Sequence, residues 1–197
     1  FVGDVASEAD VQRLFGEARA RFGAIDVLHH NVGIGKTGGP MDTSADDLDR
    51  IHAVNVRSLL LCSRQVLPDM VARGSGLVIN IGSVAGHYPY PGGNVYGATK
   101  AFVEQFTLNL RADLVGTGVR ATNIAPGLCG GTEFSNVRFK GDDAAAAKVY
   151  ENTQPLTAKD IADTAYWIAT LPPHVNVNSI ELMPTCQGFS PFAVKRT

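Results

Sequence analysis

The sequence predicts an α/β protein in which a doubly wound parallel sheet lies between two layers of helices. Apolar runs of strand length alternate with amphipathic helical segments along the chain, and strands separated by helices pair in parallel through right-handed crossovers. The 197 residues are 45% hydrophobic and 18% charged, which is ordinary for a globular protein with a buried core. We therefore expect one three-layer αβα domain over residues 1–197.

The elements of the first part of the chain follow from capping residues and apolar stripes. Residues 1–4 are predicted to end a strand. Ser7 is suited to begin a helix, and Gly23 to stop it. Residues 25–29 are apolar enough for the next strand.

A long helix is predicted to follow Ser44 and to be kinked or ended near Pro68, because proline lacks the N–H group that a helix interior needs. The later predicted elements are a strand over 77–81, a helix over 96–114, a strand over 119–124, a helix over 158–170 and a strand over 179–183. Residues 128–156 are rich in Gly, Asp and Ala, which predicts a mobile loop with a short helix over 142–152.

Composition and charge argue against several classes of protein. A formal net charge of −2 gives no basic surface for nucleic acid, and no apolar run approaches the length of a membrane-spanning helix. His29 and His30 are adjacent rather than one helical turn apart, so no metal site is expected. The three cysteines lack a Cys-x-x-Cys spacing and indicate reduced thiols in the cytoplasm; they are Cys62, Cys129 and Cys186.

Three residues in the middle of the chain carry groups that can move a proton to and from an oxygen atom. Ser83 follows the strand over 77–81, at the edge where parallel sheets bind ligands. Tyr96 and Lys100 are four residues apart, on one face of the predicted helix. A nearby ammonium group favours a phenolate, so it is expected to lower the phenol pKa from its usual value of about 10.

Tyr96 is thus a candidate general acid or base, and Ser83 a candidate donor to a substrate oxygen. This is the chemistry of a site that interconverts an alcohol and a carbonyl compound. Taken singly, each residue also has an ordinary structural interpretation: a turn cap for Ser83, a half-buried aromatic for Tyr96 and a solvated helix residue for Lys100.

The serine followed by Tyr-x-x-x-Lys resembles the core of the short-chain dehydrogenase/reductase family, whose fold is a Rossmann-like sheet. The resemblance implies that Tyr96 takes the hydroxyl proton, that Lys100 holds the pKa of Tyr96 down and contacts the nicotinamide ribose, and that Ser83 positions the oxygen. Asn55 matches the asparagine that holds a water relay behind the lysine. Two other asparagines nearby are candidates for that role: Asn80 and Asn94.

Further stretches resemble the cofactor-binding parts of the family. Asp4 and Val5 match the pair that closes the third strand, next to the adenine. The turn over 30–33 is similar to the family's Asn-Asn-Ala-Gly turn; Asn31 keeps the match, whereas His30 replaces the first Asn. The loop that meets the nicotinamide is matched by Pro126, Gly127, Leu128, Cys129 and Thr132.

A narrower resemblance covers residues 82–187. Residues 91–102 and 130–142 are similar to NADP-dependent 3-hydroxy acid dehydrogenases, the group that also acts on serine and allo-threonine and reduces malonic semialdehyde. The implied substrate is a small 3-hydroxy acid of the serine, allo-threonine, 3-hydroxypropionate or 3-hydroxyisobutyrate type, or the matching semialdehyde. NADP is the implied cofactor, with NAD as the alternative. The family also implies a homodimer or homotetramer, in which the helices over 44–67 and 96–114 pair across a two-fold axis.

A 3-hydroxy acid needs a cation for its carboxylate, and arginine suits a bidentate clamp. Arg138 is the candidate, with Lys140 behind it. The alternative for Arg138 is a solvent-facing or subunit-contact role.

The chain departs from the family at its beginning. A complete member opens with a strand, a Thr-Gly-x-x-x-Gly-x-Gly turn and a helix that holds the pyrophosphate, so we expect this sequence to lack the first βαβα segment. The Gly-Lys-Thr in residues 33–39 suggests a phosphate loop, but the first glycine of that motif is missing, so a loop at the rim of the sheet is expected.

Three rival interpretations remain: a catalytically inactive fragment, a subunit-contact module, and a general ketoreductase for bulkier substrates.

Overall fold

A computed structural model describes residues 1–35 and 38–189. A four-stranded sheet forms its centre, with the strands in sequence order and every pair parallel. The strands are β1 (Val27–His30), β2 (Gly76–Ile81), β3 (Val119–Pro126) and β4 (Ser179–Leu182). Lys36 and Thr37, which belong to the suggested phosphate loop, lie outside the described residues.

The described residues also form seven α-helices: α1 (Glu8–Phe22), α2 (Ala45–His52), α3 (Ser58–Arg73), α4 (Asn94–Asp113), α5 (Phe134–Arg138), α6 (Asp143–Lys148) and α7 (Ala158–Thr170). A five-residue π-helical turn, Ala53–Arg57, joins α2 to α3. Short 3₁₀ turns lie at Pro40–Asp42 and Val84–Gly86.

Both faces of the sheet are covered by apolar side chains. Successive residues of a strand point to opposite faces, and β2 shows this directly: Val78 belongs to one buried cluster, Leu77 and Ile79 to the other. The first cluster includes Val11 of α1, Val66 and Met70 of α3, and Leu110 of α4. The second includes Ile161, Ala165 and Ile168 of α7. The predicted doubly wound, three-layer αβα architecture is confirmed.

Capping residues set several helix ends as predicted. Ser7 precedes α1, and its hydroxyl accepts a hydrogen bond from the Asp10 N–H at 3.3 Å, while Gly23 ends the helix with a positive φ of 81°. Ser44 caps α2 in the same manner. Helix α7 has the predicted bounds, and β2, α4 and β3 begin and end within two residues of theirs.

The strand predicted for residues 1–4 is wrong. In the described part of the chain these residues pair with no strand, and β1 is bonded to β2 alone. A strand needs a neighbour to satisfy its backbone groups. The segment packs instead on α1, where the Arg13 guanidinium donates to the Val2 carbonyl.

The long helix was expected to be kinked or ended near Pro68, and it does not end there. Helix α3 continues past Pro68 to Arg73, because Val66 and Met70 on either side of it are 1% and 0% exposed in the core. That burial offsets the backbone hydrogen bond that proline cannot make. The irregularity lies earlier, in the π-helical turn that the sequence did not predict.

The region over 128–156 is more ordered than the loop that was predicted. It contains α5, which was missed, and α6, which ends at Lys148 rather than at 152. The Tyr150 hydroxyl connects distant parts of this region. It lies 2.7 Å from the Ser135 Oγ and donates to the Cys129 carbonyl at 3.1 Å. Such contacts between distant turns are not encoded in local propensity.

Candidate active site

A cavity of about 490 Å³ opens at the carboxyl edge of the sheet. Because all four strands are parallel, their carboxyl ends share this edge, where open α/β sheets bind ligands. Residues that follow each strand line it: Asn31 and Gly33 after β1, Gly82 and Ser83 after β2, Gly127 and Leu128 after β3, and Met183 after β4. Tyr96 and Lys100 reach the same cavity from α4, so the three proton-handling groups predicted from the sequence converge.

Tyr96 lies in the first turn of α4 and is 8% exposed. Its ring centroid is 5.8 Å from that of Phe134 in α5. Burial raises the pKa of Tyr96 to about 12, and the Ser83 hydroxyl opposes part of that rise. The phenol is therefore protonated at neutral pH.

The predicted lowering of the Tyr96 pKa by Lys100 is wrong for the protein without ligands. The Lys100 Nζ is 5.8 Å from the Tyr96 ring centroid, and burial lowers its own pKa to about 8. Burial of Tyr96 outweighs the groups that lower its pKa, and the cation among those groups is Arg138 rather than Lys100. The sequence could not show it, because the burial comes from elements far from Tyr96 along the chain.

Lys100 is a buried cation, 5% exposed, that forms no ion pair with a carboxylate of the described residues. Its Nζ donates to the Ile81 carbonyl at 2.7 Å, which leaves two N–H donors for other partners. A Cβ on Gly33 would lie 3.2 Å from Nζ. Glycine thus lets the backbone of the β1 turn approach the ammonium group.

Asn55 lies in the π-helical turn, and its side chain forms hydrogen bonds with the backbone of the segment that follows β1. Its Oδ1 accepts from the Ile34 N–H at 2.8 Å, and its Nδ2 donates to the Ile34 carbonyl at 2.9 Å and to the Thr99 Oγ1 at 3.0 Å. A π-helical turn redirects side chains and is frequent at functional sites. Asn55 therefore fixes the β1 turn next to Lys100.

The two other candidate asparagines lie elsewhere. Asn80 is buried inside β2, where it donates to the Thr107 Oγ1 at 2.9 Å. Asn94 is exposed at the start of α4, and its side chain accepts from the Val95 N–H. Of the three, Asn55 is the one that shares a neighbour with Lys100.

The loop after β3 lines the cavity as the resemblance implied. Its cavity-lining residues are Pro126, Gly127, Leu128, Cys129 and Thr132. The Leu128 N–H donates to the Gln187 Oε1 at 2.6 Å, and a Cβ on Gly127 would lie 2.2 Å from that oxygen. The chain after β4 therefore packs closely on this loop, a contact that requires glycine.

Asp4 and Val5 do not line this cavity. The Asp4 carboxylate accepts from the Ala6 N–H at 2.9 Å and from the Arg50 guanidinium at 3.2 Å, and these hydrogen bonds lower the pKa of Asp4. Val5 packs against the first apolar cluster. Their role beside an adenine stays a prediction.

Arg138, at the end of α5, lines the cavity, and its Nε is buried without a hydrogen-bond partner among the described residues. Lys140 is not among the residues that line the cavity, and its Nζ lies 3.6 Å from the Asp47 carboxylate. Residues that the sequence reading missed also line the cavity: Tyr88, Tyr90, Phe134, Tyr150 and Gln187. The tyrosines between Ser83 and Tyr96 in the sequence were the feature from which some of these lining residues could have been predicted.

His30 is 4% exposed, and its Nε2 lies 3.1 Å from the Ser58 Oγ, which donates to the Val54 carbonyl. Burial, with the nearby Lys100 cation, lowers the pKa of His30 to about 4. The neutral imidazole therefore supports the π-helical turn that carries Asn55.

This burial predicts a pH-dependent stability. Between pH 6.5 and about 4 the unfolded chain protonates this histidine and the folded chain does not, so stability falls as the pH falls. The loss is on the order of 3 kcal/mol. In His30→Asn we expect chemical denaturation to show a correspondingly smaller difference in the free energy of unfolding between pH 7 and pH 4.5.

His174→Asn, which removes an exposed histidine, should retain the wild-type acid sensitivity. An unchanged difference in His30→Asn would show that His30 does not cause the acid loss.

None of the helices that the structure describes has the length and apolar character of a membrane span. Within the same residues, His, Cys, Asp and Glu side chains do not gather in threes where a metal ion could bind.

A nicotinamide cofactor, implied by the resemblance, fits these residues at its ribose end. Lys100 has two spare N–H donors for hydroxyl groups, and Gly33 keeps side-chain atoms away from them. The rest of the cavity is large enough for a small ring and substrate.

Comparisons with known proteins agree with this geometry. The family model described as short chain dehydrogenase matches residues 1–143. The chain is 50% identical over 194 residues to the NADP-dependent 3-hydroxy acid dehydrogenase YdfG of Escherichia coli K12, covering 98% of this chain and 78% of that protein. It is 46% identical over 195 residues to sulfoacetaldehyde reductase 2 of Chromohalobacter salexigens, covering 98% and 77%.

Among solved structures, the closed form of serine dehydrogenase complexed with NADP⁺ superposes with a TM-score of 0.95 at 49% identity. The match covers 98% of this chain and 79% of that one. The chain therefore belongs to the short-chain dehydrogenase family.

Proposed function

We propose that this protein is an NADP-dependent oxidoreductase that oxidises a small 3-hydroxy acid or reduces the matching semialdehyde. The observation that carries the proposal is the convergence of Ser83, Tyr96 and Lys100 on one cavity that also contains the Arg138 cation. The first three groups are suited to hydrogen bonding and proton transfer at an alcohol or carbonyl oxygen. The fourth is suited to binding an anionic substituent of the substrate.

When bound, NADP supplies the hydride chemistry: it accepts a hydride from the carbon that bears the hydroxyl group, and its reduced form returns one. In the reduction, Tyr96 donates its phenolic proton to the carbonyl oxygen as the alcohol forms. In the oxidation, Tyr96 as phenolate takes the hydroxyl proton. Ser83 donates a hydrogen bond to the same oxygen in both directions.

Because its pKa is raised, the Tyr96 phenol holds its proton at neutral pH, so the reduction starts from the form that the protein already has. The oxidation requires the phenolate, and the nearby Lys100 cation favours that form. Lys100 also holds the nicotinamide ribose through its spare donors. Asn55 keeps the β1 turn beside Lys100; a water relay behind the lysine stays a prediction.

The named substrates of the similar proteins support an anion-binding role for Arg138. A 3-hydroxy acid carries a carboxylate, and sulfoacetaldehyde carries a sulfonate. Both place a permanent anion close to the reacting carbon. An arginine in the cavity is suited to either group, and we propose the carboxylate as the natural partner.

Arg138→Ala should raise the KM for 3-hydroxypropionate on the order of 10- to 100-fold, because a charge-assisted hydrogen bond is lost. The KM for the neutral methyl ester of the same acid should stay near its wild-type value. Steady-state kinetics on the complete protein with both substrates measures the difference.

Arg21→Ala, which removes an exposed arginine at the end of α1, is the matched control and should leave both KM values unchanged. If Arg138→Ala leaves the KM for the acid unchanged, Arg138 does not bind the carboxylate.

The function is tested by following reduced nicotinamide during incubation of the complete protein with NADP⁺ and either serine or 3-hydroxypropionate. We expect turnover of these acids and little turnover of bulky hydrophobic alcohols. The reverse preference would favour a general ketoreductase. Undetectable binding in a titration with NADPH would favour a catalytically inactive fragment.

We also propose a homodimer or homotetramer in a reducing, cytoplasmic setting. The outer faces of α3 and α4 carry the exposed apolar side chains Leu60 and Phe102, 48% and 42% exposed, and Phe102 stacks on Phe106. Cys62, Cys129 and Cys186 are all free. The mass in solution tests the assembly, and a monomer would contradict it.

A further inference from the structure

Tyr90 lies beside Arg138, and the sequence pattern predicted no role for it. The guanidinium carbon of Arg138 is 5.8 Å from the centroid of the Tyr90 ring and 5.7 Å from that of Phe139. A cation at this distance is attracted to the electron-rich face of an aromatic ring. The Arg138 Nε has no hydrogen-bond partner among the described residues, and the Arg138 side chain is close enough to the Tyr90 phenol to oppose part of the rise that burial causes in the pKa of Tyr90.

The Tyr90 ring is itself fixed against the backbone. A Cβ on Gly93 would come within 2.3 Å of two atoms of the ring, so the ring lies directly against the Gly93 backbone. The Gly93 N–H also donates to the Tyr90 carbonyl at 3.1 Å. Since Gly93 immediately precedes α4, the ring is held against the start of the helix that carries Tyr96.

Tyr90 lies between the proposed anion-binding residue, Arg138, and the helix that carries the proton-transfer residue, Tyr96. Arg138 comes from α5 and Tyr96 from α4, and Tyr90 contacts the first while resting on the start of the second. Tyr90 is also close enough to raise the pKa of Tyr96. Tyr90 thus lies between the guanidinium group and the start of the helix that carries Tyr96.

We propose that Tyr90 is a positioning residue that holds the Arg138 guanidinium in the cavity and so determines the preference for substrates with an anionic group near the reacting hydroxyl. The inference rests on the proposed function, in which Arg138 binds that anionic group. Tyr90 contacts the arginine, so its removal should weaken the binding of charged substrates more than that of neutral ones.

The test is Tyr90→Leu in the complete protein, which keeps an apolar side chain and removes the ring. We expect the KM for 3-hydroxypropionate to rise on the order of 3- to 30-fold, while the KM for the methyl ester, which carries no anion for Arg138, rises much less. Tyr90→Phe retains the ring and should cause a smaller rise in the KM for the acid than Tyr90→Leu does. Equal effects on acid and ester, or a Tyr90→Phe effect as large as that of Tyr90→Leu, would overturn the proposal.

A double variant separates this inference from the function on which it rests. In an Arg138→Ala background, Tyr90→Leu should cause no further rise in the KM for the acid, because the two residues act through one group. Full additivity would overturn the positioning role. If Arg138→Ala alone has no effect, the anion site of the proposed function fails; if it has its effect and Tyr90→Leu has none, only the role of Tyr90 fails.

Gly93→Ala gives an independent measurement should Tyr90→Leu not fold. The added methyl group displaces the Tyr90 ring without removing it. The ratio of the KM for the acid to that for the ester should rise as it does in Tyr90→Leu, and an unchanged ratio would overturn the proposal.

Discussion

Tyr96→Phe is expected to lower kcat by about two to four orders of magnitude in both directions, with the fold retained. General acid–base catalysis by a positioned side chain contributes on the order of 10²- to 10⁴-fold, and the variant removes the group that donates to the carbonyl oxygen. The ring keeps its burial and its contact with Phe134, so the free energy of unfolding should change little. Steady-state rates and chemical denaturation measure both quantities.

Tyr166→Phe is the matched control, because that phenol is 72% exposed on α7, outside the cavity lining. It should leave kcat unchanged. Should Tyr96→Phe keep more than a tenth of the wild-type kcat, another group would have to transfer the proton, and the role given to Tyr96 would be wrong.

Lys100→Met is expected to lower kcat/KM at least about a hundredfold, since it removes the charge that stabilises the phenolate and the donors proposed for the cofactor ribose. Although the substitution lowers activity, it should not lower the free energy of unfolding. Lys100 is charged but buried, and its pKa is lowered from 10.5 to about 8, so at pH 7 it destabilises the folded state on the order of 3 kcal/mol. Methionine removes that cost but leaves the Ile81 carbonyl without its donor.

We therefore expect a free energy of unfolding at pH 7 that is equal to or above that of the wild type. The wild type binds fewer protons when folded than when unfolded between pH 8 and pH 10.5, so its stability should rise with pH across this range. That rise should be absent in Lys100→Met. Lys148→Met, at an exposed lysine in α6, should change neither activity nor the pH dependence. A variant that is stable and fully active would refute the role of Lys100.

The parts of the site that could be predicted from the sequence are those that depend on local spacing. Ser83 follows an apolar strand, and Tyr96 and Lys100 are one helical turn apart. Because parallel strands have their carboxyl ends at one edge of the sheet, residues that follow different strands lie close together there. The loop from Pro126 to Thr132 was predicted from its resemblance to the family's loop that meets the nicotinamide, and in the structure it lines the same cavity.

The properties that could not be predicted depend on contacts between distant elements. The pKa of Tyr96 is raised because α5 covers it with Phe134, and α5 lies in a region that composition marked as a mobile loop. The contact between Tyr90 and Arg138 joins two turns that no local rule relates. The π-helical turn at Asn55 arises from packing, with the buried His30 bonded to Ser58, and not from helix propensity.

The most direct test of the central claim, that the Tyr96 phenol transfers the proton, is the pH dependence of kcat measured in both directions on the complete protein. The raised pKa of Tyr96 predicts that kcat for oxidation increases with pH up to about 8, because the phenolate fraction grows while Lys100, whose pKa is lowered to about 8, still carries its charge; kcat for reduction should stay level or decline over the same range. The residual activity of Tyr96→Phe should lose this dependence. A kcat for oxidation that is independent of pH, or a pH profile that Tyr96→Phe leaves unaltered, would contradict the account.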